Sequence, residues 1–248
     1  GKAMFKAKLK ASVLKTVIDA TLPLVDEVKF HIAPEGVSLK TVDSAHVAMV
    51  DVSLGAKAFQ EYKATDLELG VDLDKLREIL KLGTGEEVIG LEYKEDQNRL
   101  VLTLGNLVRR MSPIDPSGIP DPKVPNLNLP NRVRVKASEI SQGIKASESV
   151  SDHVALITDD GGFEIIAEGD TDVVNMKLTK NQLVELQAPE RTKSLFSLDY
   201  FSKMIKAADG AGEVTLSLGS DYPVRMEFDF ADGHGHVTYL LAPRIENE

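Results

Sequence analysis

The sequence predicts an α+β fold made of two similar domains, each of antiparallel sheets with helices on one face. Three observations carry this expectation. The chain opens with an alternation of period two, a proline-rich stretch divides it near the middle, and the order of elements before that stretch recurs after it. Strand, helix, several strands, helix, several strands is read once in each half, a duplication with a period of about half the chain.

Residues 4–10 alternate, with Phe5, Ala7 and Leu9 on one face and Lys6, Lys8 and Lys10 on the other. That is the pattern of a half-buried strand. Ser12 then offers an N-cap, and Val13, Leu14, Val17 and Ile18 follow at helical spacing. Strand-like runs come next at 28–32 and 37–41, joined by the turn Pro34-Glu35-Gly36, and at 46–54, where Val50, Val52 and Leu54 alternate. A second helix is expected from Asp74 as N-cap, with Leu76, Ile79 and Leu80 as its apolar stripe and Gly83 and Gly85 as its stop. Strands at 88–93 and 99–104 follow, and residues 107–114 lead into the proline-rich stretch.

Six of the eleven prolines lie within residues 113–130. Proline fixes φ, lacks an N–H and disfavours the α conformation in the residue before it, so this segment reads as an extended connector. Beyond it the order repeats. Ser138, Ile140 and Ile144 stand 126 positions after Ser12, Leu14 and Ile18, although Gly143 and the serines make this third helix weak on pattern. Runs at 154–158, 163–167 and 173–178 read as strands, the last matching 47–52. Leu198-Asp199-Tyr200-Phe201 answers Leu73-Asp74-Lys75-Leu76, and Met204-Ile205-Lys206 answers Ile79-Leu80-Lys81. Strands at 214–218, 225–230 and 236–241 close the chain. The expected boundaries are 4–114, a connector at 115–132, and 133–248; Gly1, Lys2 and Ala3 are read as an appended scar outside the fold.

Composition narrows the function. With 42% hydrophobic and 27% charged residues, the chain is long enough to bury a sizeable core. It contains no cysteine, which removes disulfides, thiol nucleophiles and thiolate metal sites. No apolar run approaches the roughly 18–20 residues that cross a bilayer, and the start has no signal-peptide core. Nucleotide-binding glycine loops, nucleophile elbows and His-Glu-x-x-His helices are all absent. His234-Gly-His236 lacks a third ligand, and Asp159-Asp160 and Asp170-x-Asp172 read as acidic turns, so no metal, cofactor or catalytic residue is expected.

The net charge of −10 argues against nucleic-acid binding at face value, but placement matters more than the total. Lys6, Lys8, Lys10 and Lys15 cluster before the first acid, Arg109-Arg110 precede the connector, and Lys81, Lys145, Lys203 and Lys206 face outward from helices. A solvated helix face is the ordinary account of such residues; contact with nucleic acid is the alternative. A second group is apolar: Val47, Met49, Leu127, Leu129 and the ending at 240–246. Core packing explains most of it. Leu127 and Leu129 fit that account poorly, since a proline-rich connector has little core to join, and a groove for a partner peptide is the alternative.

The ending Leu240-Leu241-Ala242-Pro243-Arg244-Ile245-Glu246 resembles the C-terminus of the sliding clamps of the proliferating cell nuclear antigen (PCNA) family. Asp43-Ser44-Ala45-His46-Val47, the opening at 4–9 with its helix, and Gly70-Val71-Asp72-Leu73 with Ile79-Leu80-Lys81 fit the same family in one register. The short tail and Arg244 are more similar to archaeal members. The resemblance implies the DNA clamp fold and a homotrimeric ring of six domains around double-stranded DNA. Such a processivity factor tethers the replicative DNA polymerase and DNA repair enzymes and is itself no enzyme. One subunit of a heterotrimeric clamp, or a duplicated peptide-binding module with no DNA role, are the other readings.

Carried over by position, the resemblance implies DNA-facing roles for Lys8, Lys10, Lys15, Lys81, Arg109, Arg110, Lys145 and Lys206. Glu78 and Asp199 depart from it, standing where relatives often carry a basic residue. A pocket for the PIP-box motif of clamp loader, polymerase and other partners is implied at His46, Val47, Met49, Leu127, Leu129, Pro223, Leu240, Leu241, Ala242, Pro243 and Ile245. The subunit contact would pair the strand at 107–112, through Leu107, Arg109 and Met111, with the strand at 173–178, through Val174, Met176 and Leu178. No membrane association follows, and an archaeal cytoplasmic, nucleoid-associated location is implied, nuclear in a eukaryote.

Overall fold

The computed structural model describes residues 2–245 and divides the chain into two compact units. The first comprises the chain up to Ser44, Val50–Val124 and Asp229–Val237; the second comprises Ala45–Met49, Pro125–Phe228 and the chain from Thr238. The first half of the sequence supplies β1 (Met4–Lys10), α1 (Ala11–Thr21), β2 (Glu27–Ala33), β3 (Gly36–Val42), β4 (Ala48–Gly55), β5 (Glu61–Ala64), β6 (Leu67–Asp72), α2 (Leu73–Leu80), β7 (Val88–Lys94), β8 (Arg99–Leu104) and β9 (Leu107–Met111). The second half supplies β10 (Asn131–Lys136), α3 (Ala137–Glu148), β11 (His153–Asp159), β12 (Gly162–Glu168), β13 (Val173–Thr179), β14 (Glu185–Gln187), β15 (Thr192–Ser197), α4 (Leu198–Ala207), β16 (Glu213–Leu218), β17 (Val224–Phe230) and β18 (Gly235–Leu241). Each half has the same order of nine strands and two helices among the described residues.

Strand pairing repeats as well. In the first half, β1 lies between β5 and β7, with β8 and β9 beyond, and β2 lies between β3 and β6. In the second half, β10 lies between β14 and β16, and β11 between β12 and β15, with β13 outermost. The pairings are antiparallel, so hairpin-length loops join most neighbours. β4, β17 and β18 each carry residues of both units.

The core follows from alternation. Phe5, Ala7 and Leu9 are buried while Lys6, Lys8 and Lys10 stay exposed. In the first unit α1 and α2 pack side by side, and in the second α3 and α4 do the same, each helix burying one apolar stripe. No helix among the described residues is long and apolar enough to cross a membrane.

The helix starts differ from expectation. The N-cap of α1 is Lys10 rather than Ser12, and no side chain caps it. Instead Ala11 N donates to Glu87 O at 2.8 Å and Ser12 N to Gly85 O at 3.0 Å. The loop before β7 therefore satisfies orphan amides that a cap side chain usually takes. The same device recurs in the second unit, where Ala137 N donates to Gly212 O at 2.9 Å. For α2 the cap is Asp72, not Asp74, its carboxylate accepting from Asp74 N and Lys75 N.

The weak pattern of α3 has a packing cause. A Cβ on Gly143 would lie 2.7 Å from Met176 Cε, so glycine lets the helix settle onto β13. Four strands escaped the sequence reading: β5 and β14 are short, and β6 and β15 run directly into helices. The strand expected from His46 begins at Ala48, because His46 holds φ at 58° in a turn. Ala3, set aside as a scar, accepts from Glu95 N and donates its own N–H to the Glu95 carboxylate, so it is tied to the end of the sheet.

Candidate functional site

The connector begins on the first unit. Ile114 N donates to Gly70 O at 2.9 Å, and a Cβ on Gly70 would lie 2.3 Å from Ile114 O. Only glycine admits that approach, and the contact covers the outer edge of β6. A turn at Pro116–Gly118 follows, capped by Asp115, whose carboxyl is held below its ordinary range by bonds from Ser117 N and Oγ. The extended path expected for the whole connector is thus broken by one 3-10 turn.

Within the second unit the connector ends against a turn before β17. Arg225 Nη2 donates to Leu127 O at 3.0 Å. A Cβ on Gly219 would meet Tyr222 Cδ2 at 3.0 Å, Pro130 Cδ at 3.2 Å and Leu129 Cδ2 at 3.5 Å, so these side chains converge over the glycine. Ser194 fixes the turn: its Oγ donates to Gly219 O at 2.9 Å and accepts from Asp221 N at 2.8 Å. Leu127, Leu129 and Pro223 are half-buried, and Tyr222 is 53% exposed. Gly219, Tyr222 and Arg225 were not singled out by sequence reasoning. The pair Tyr222-Pro223 was the available signal, an aromatic residue at a proline turn.

The remaining expected pocket residues divide. Ala242 N donates to Val47 O at 2.9 Å, bringing Val47 and Ala242 together beside the exposed His46. A residue other than glycine held at positive φ is sparsely populated backbone of the kind that collects at binding sites. Met49 and Pro243 are half-buried. Leu240 and Leu241 are buried, at 5% and 0% exposure, and serve the core rather than a surface. Ile245 is 72% exposed and borders an open groove of about 600 Å³ with His153, Ile166 and Leu195, whose lining includes none of the other expected pocket residues. Arg244 N donates to Leu195 O at 2.6 Å, which aims the tail along β15; Glu246 lies outside the described residues.

The expected DNA-facing cations are exposed or half-buried, and half are already paired. Lys8 Nζ lies 3.5 Å from Glu61, Lys10 Nζ 4.0 Å from Glu86, Lys15 Nζ 2.5 Å from Asp19, and Arg109 Nη1 2.7 Å from Glu78. Lys81, Arg110, Lys145 and Lys206 have no ion pair among the described residues. On the outward faces of the four helices, basic and acidic side chains are nearly balanced, on a chain whose net charge is −10.

Two edges remain open. β9 and β13 are end strands of their sheets, and Leu107, Val108 and Val173 are 50%, 48% and 65% exposed. Half of the side chains expected at a subunit contact turn inward instead: Met111 and Leu178 are each 6% exposed, and Met176 packs beneath Gly143. Val108 and Val173, which the sequence reading does not name, join Leu107 as the outward apolar residues of these strands.

Comparison with known proteins places these features in a family. The chain matches the model of the proliferating cell nuclear antigen N-terminal domain over residues 4–111 and that of its C-terminal domain over 123–244. It is 44% identical to a DNA polymerase sliding clamp of Methanocella arvoryzae, covering 99% of this chain and 100% of that protein. It is 42% identical to a DNA polymerase sliding clamp of Methanosarcina barkeri, with the same coverage. Among solved structures, A. fulgidus PCNA bound to the C-terminal region of FEN-1 superposes with a TM-score of 0.93 at 34% identity, covering 98% of this chain and 100% of that one.

Proposed function

The chain belongs to the proliferating cell nuclear antigen family, and on that premise we propose that three copies close into a ring of six units around duplex DNA. Its function is that of a DNA polymerase sliding clamp, a processivity factor. The ring catalyses nothing itself. It raises the effective concentration of its partners at DNA, so that dissociation of an enzyme is followed by rebinding at the same place.

The observation that carries the ring is a pair of strands seen once joined and once open. The flanks of β4 and β18 are tied inside the chain: Ala242 N donates to Val47 O, and Gly55 N donates to His234 O, both at 2.9 Å. In the duplicated order the counterparts of β4 and β18 are β13 and β9, and these are end strands. Pairing β9 of one copy with β13 of the next repeats an arrangement the sequence already uses. It covers Leu107, Val108 and Val173 and removes two open edges. Because the two surfaces differ, the contact is head-to-tail, and it leaves no free ends only if the ring closes.

Residues 4–114 and 133–248 then act as clamp domains, with 115–132 as the connector. The helix faces carrying Lys15, Lys81, Lys145 and Lys206 meet phosphates without reading bases. With Lys8, Lys10, Lys15 and Arg109 already partnered, attraction to DNA is weak and screened by salt, and retention is topological. Leu127, Leu129, Tyr222, His46 and Val47 form the surface to which the PIP-box segments of clamp loader, polymerase and repair enzymes dock. The clamp works in the archaeal cytoplasm, on the nucleoid.

Retention on DNA tests this. Clamp loaded onto a nicked circle should survive a high-salt wash and be lost when the circle is cut open. Equal salt-resistant retention on circular and linear DNA would overturn encirclement.

A further inference from the structure

β2 buries Val28, Phe30 and Ile32, which leaves Lys29 and His31 on its other face. β6 runs antiparallel beside it, with Glu68 opposite His31. Asp121 of the connector reaches this face. Its Oδ1 lies 2.9 Å from His31 Nε2 and its Oδ2 lies 2.8 Å from Lys29 Nζ, so each carboxylate oxygen takes a different cationic partner. Glu68 Oε1 lies 3.7 Å from His31 Nδ1. The Lys29 side chain is only 10% exposed, which leaves its ammonium little water and makes Asp121 its close counter-ion.

His31, Glu68 and Asp121 offer ligand atoms within 4.8 Å of one another, which raises the alternative of a metal site. The geometry argues otherwise. His31 turns a different ring nitrogen to each carboxylate, whereas a metal needs one nitrogen and both carboxylates aimed at a single point. An ammonium also occupies the second oxygen of Asp121. An imidazole between two carboxylates suits the protonated ring, which donates from both nitrogens, while the neutral ring donates from one.

We propose that Lys29, His31 and Glu68 form a clasp that holds Asp121 and positions the connector. The functional meaning rests on residues 115–132 being the strap beside the partner groove; the clasp itself does not. Ile114 on Gly70 and Asp121 in the clasp fix both ends of the turn between them. Six residue steps then link Asp121 to Leu127, a reach of about 20 Å at most. Holding Asp121 therefore limits where Leu127 and Leu129 can go.

His31 faces Asp121 from the connector, Glu68 from β6 and Lys29 along its own strand, and β3 presents the uncharged Ser38 opposite it. Bonds from His31 and then Lys29 hold the Asp121 carboxyl below its ordinary range, which keeps it ionised at neutral pH. His31 and Lys29 act through the connector and are positioning residues.

The test is amide hydrogen exchange of residues 117–124 in the free chain at neutral pH, corrected for intrinsic exchange rates. Lys29→Met should lower protection several-fold, because it removes the nearly buried ammonium that Asp121 accepts from. Asp121→Asn should lower protection about tenfold, the scale of a hydrogen bond to a charged group. Unchanged protection in Lys29→Met or in Asp121→Asn would overturn the clasp. Neither readout involves DNA or a partner, so encirclement and partner binding stand or fall separately.

Discussion

Arg225 reaches the carbonyl oxygen of Leu127 at 3.0 Å, tying β17 to the connector's end by one charge-assisted hydrogen bond. Replacing Arg225 with Met keeps the aliphatic packing and removes the donor. Affinity for a PIP-box peptide should fall about tenfold or less, the range of a charged hydrogen bond partly open to water. Calorimetric titration checks this. Unaltered affinity would remove the Leu127 segment from the binding surface.

Leu241 and Ile245 separate packing from docking. Leu241 is fully buried, so Leu241→Ala should cost about 2–5 kcal/mol of stability, read by denaturant unfolding. Ile245 is 72% exposed, so Ile245→Ala should leave unfolding unmoved, and a loss of peptide affinity in that variant would extend the docking surface to the groove beside β15. Sequence position alone treats the two residues alike.

Glu87 gives a prediction in acid. Its carboxylate accepts from the backbone N–H and hydroxyl of Thr84 and from Gly85 N, and these bonds, led by the Thr84 amide, lower its pKa to about 2. A depressed carboxylate stabilises the loop fully above its ordinary value of 4.5 and loses that contribution as pH falls from there toward 2. Followed by the amide shifts of Thr84 and Gly85, the titration should have its midpoint near 2. Glu87→Gln should abolish it. A midpoint near 4.5 would contradict the bonding described.

Much of the fold was legible because alternation and duplication are written in residue types. Lys6, Lys8 and Lys10 against Phe5, Ala7 and Leu9 define β1 without ambiguity, and the 126-residue offset of Ser138 from Ser12 anticipates the repeated topology. The caps were not legible in the same way. Ser12 has the right chemistry, but Gly85 and Glu87 come from more than seventy residues away to supply carbonyls, a tertiary solution to a local need. β5 and β14 are too short for their alternation to register.

At the candidate site, resemblance pointed to Val47, Leu127 and Leu129, but side-chain direction required the structure. Met111, Met176 and Leu178 lie on the expected strands with their side chains turned inward, because a strand's two faces differ by one residue of register. The clasp around Asp121 joins residues 90 positions apart, His31 and Asp121, through a connector that has no periodicity to read.

The central claim is that β9 of one copy pairs with β13 of the next until the ring closes, and mass in solution tests it most directly. Sedimentation equilibrium at micromolar concentration should give three times the chain mass of 27.0 kDa, about 81 kDa. A species that stays at 27.0 kDa would contradict the closed ring of identical subunits.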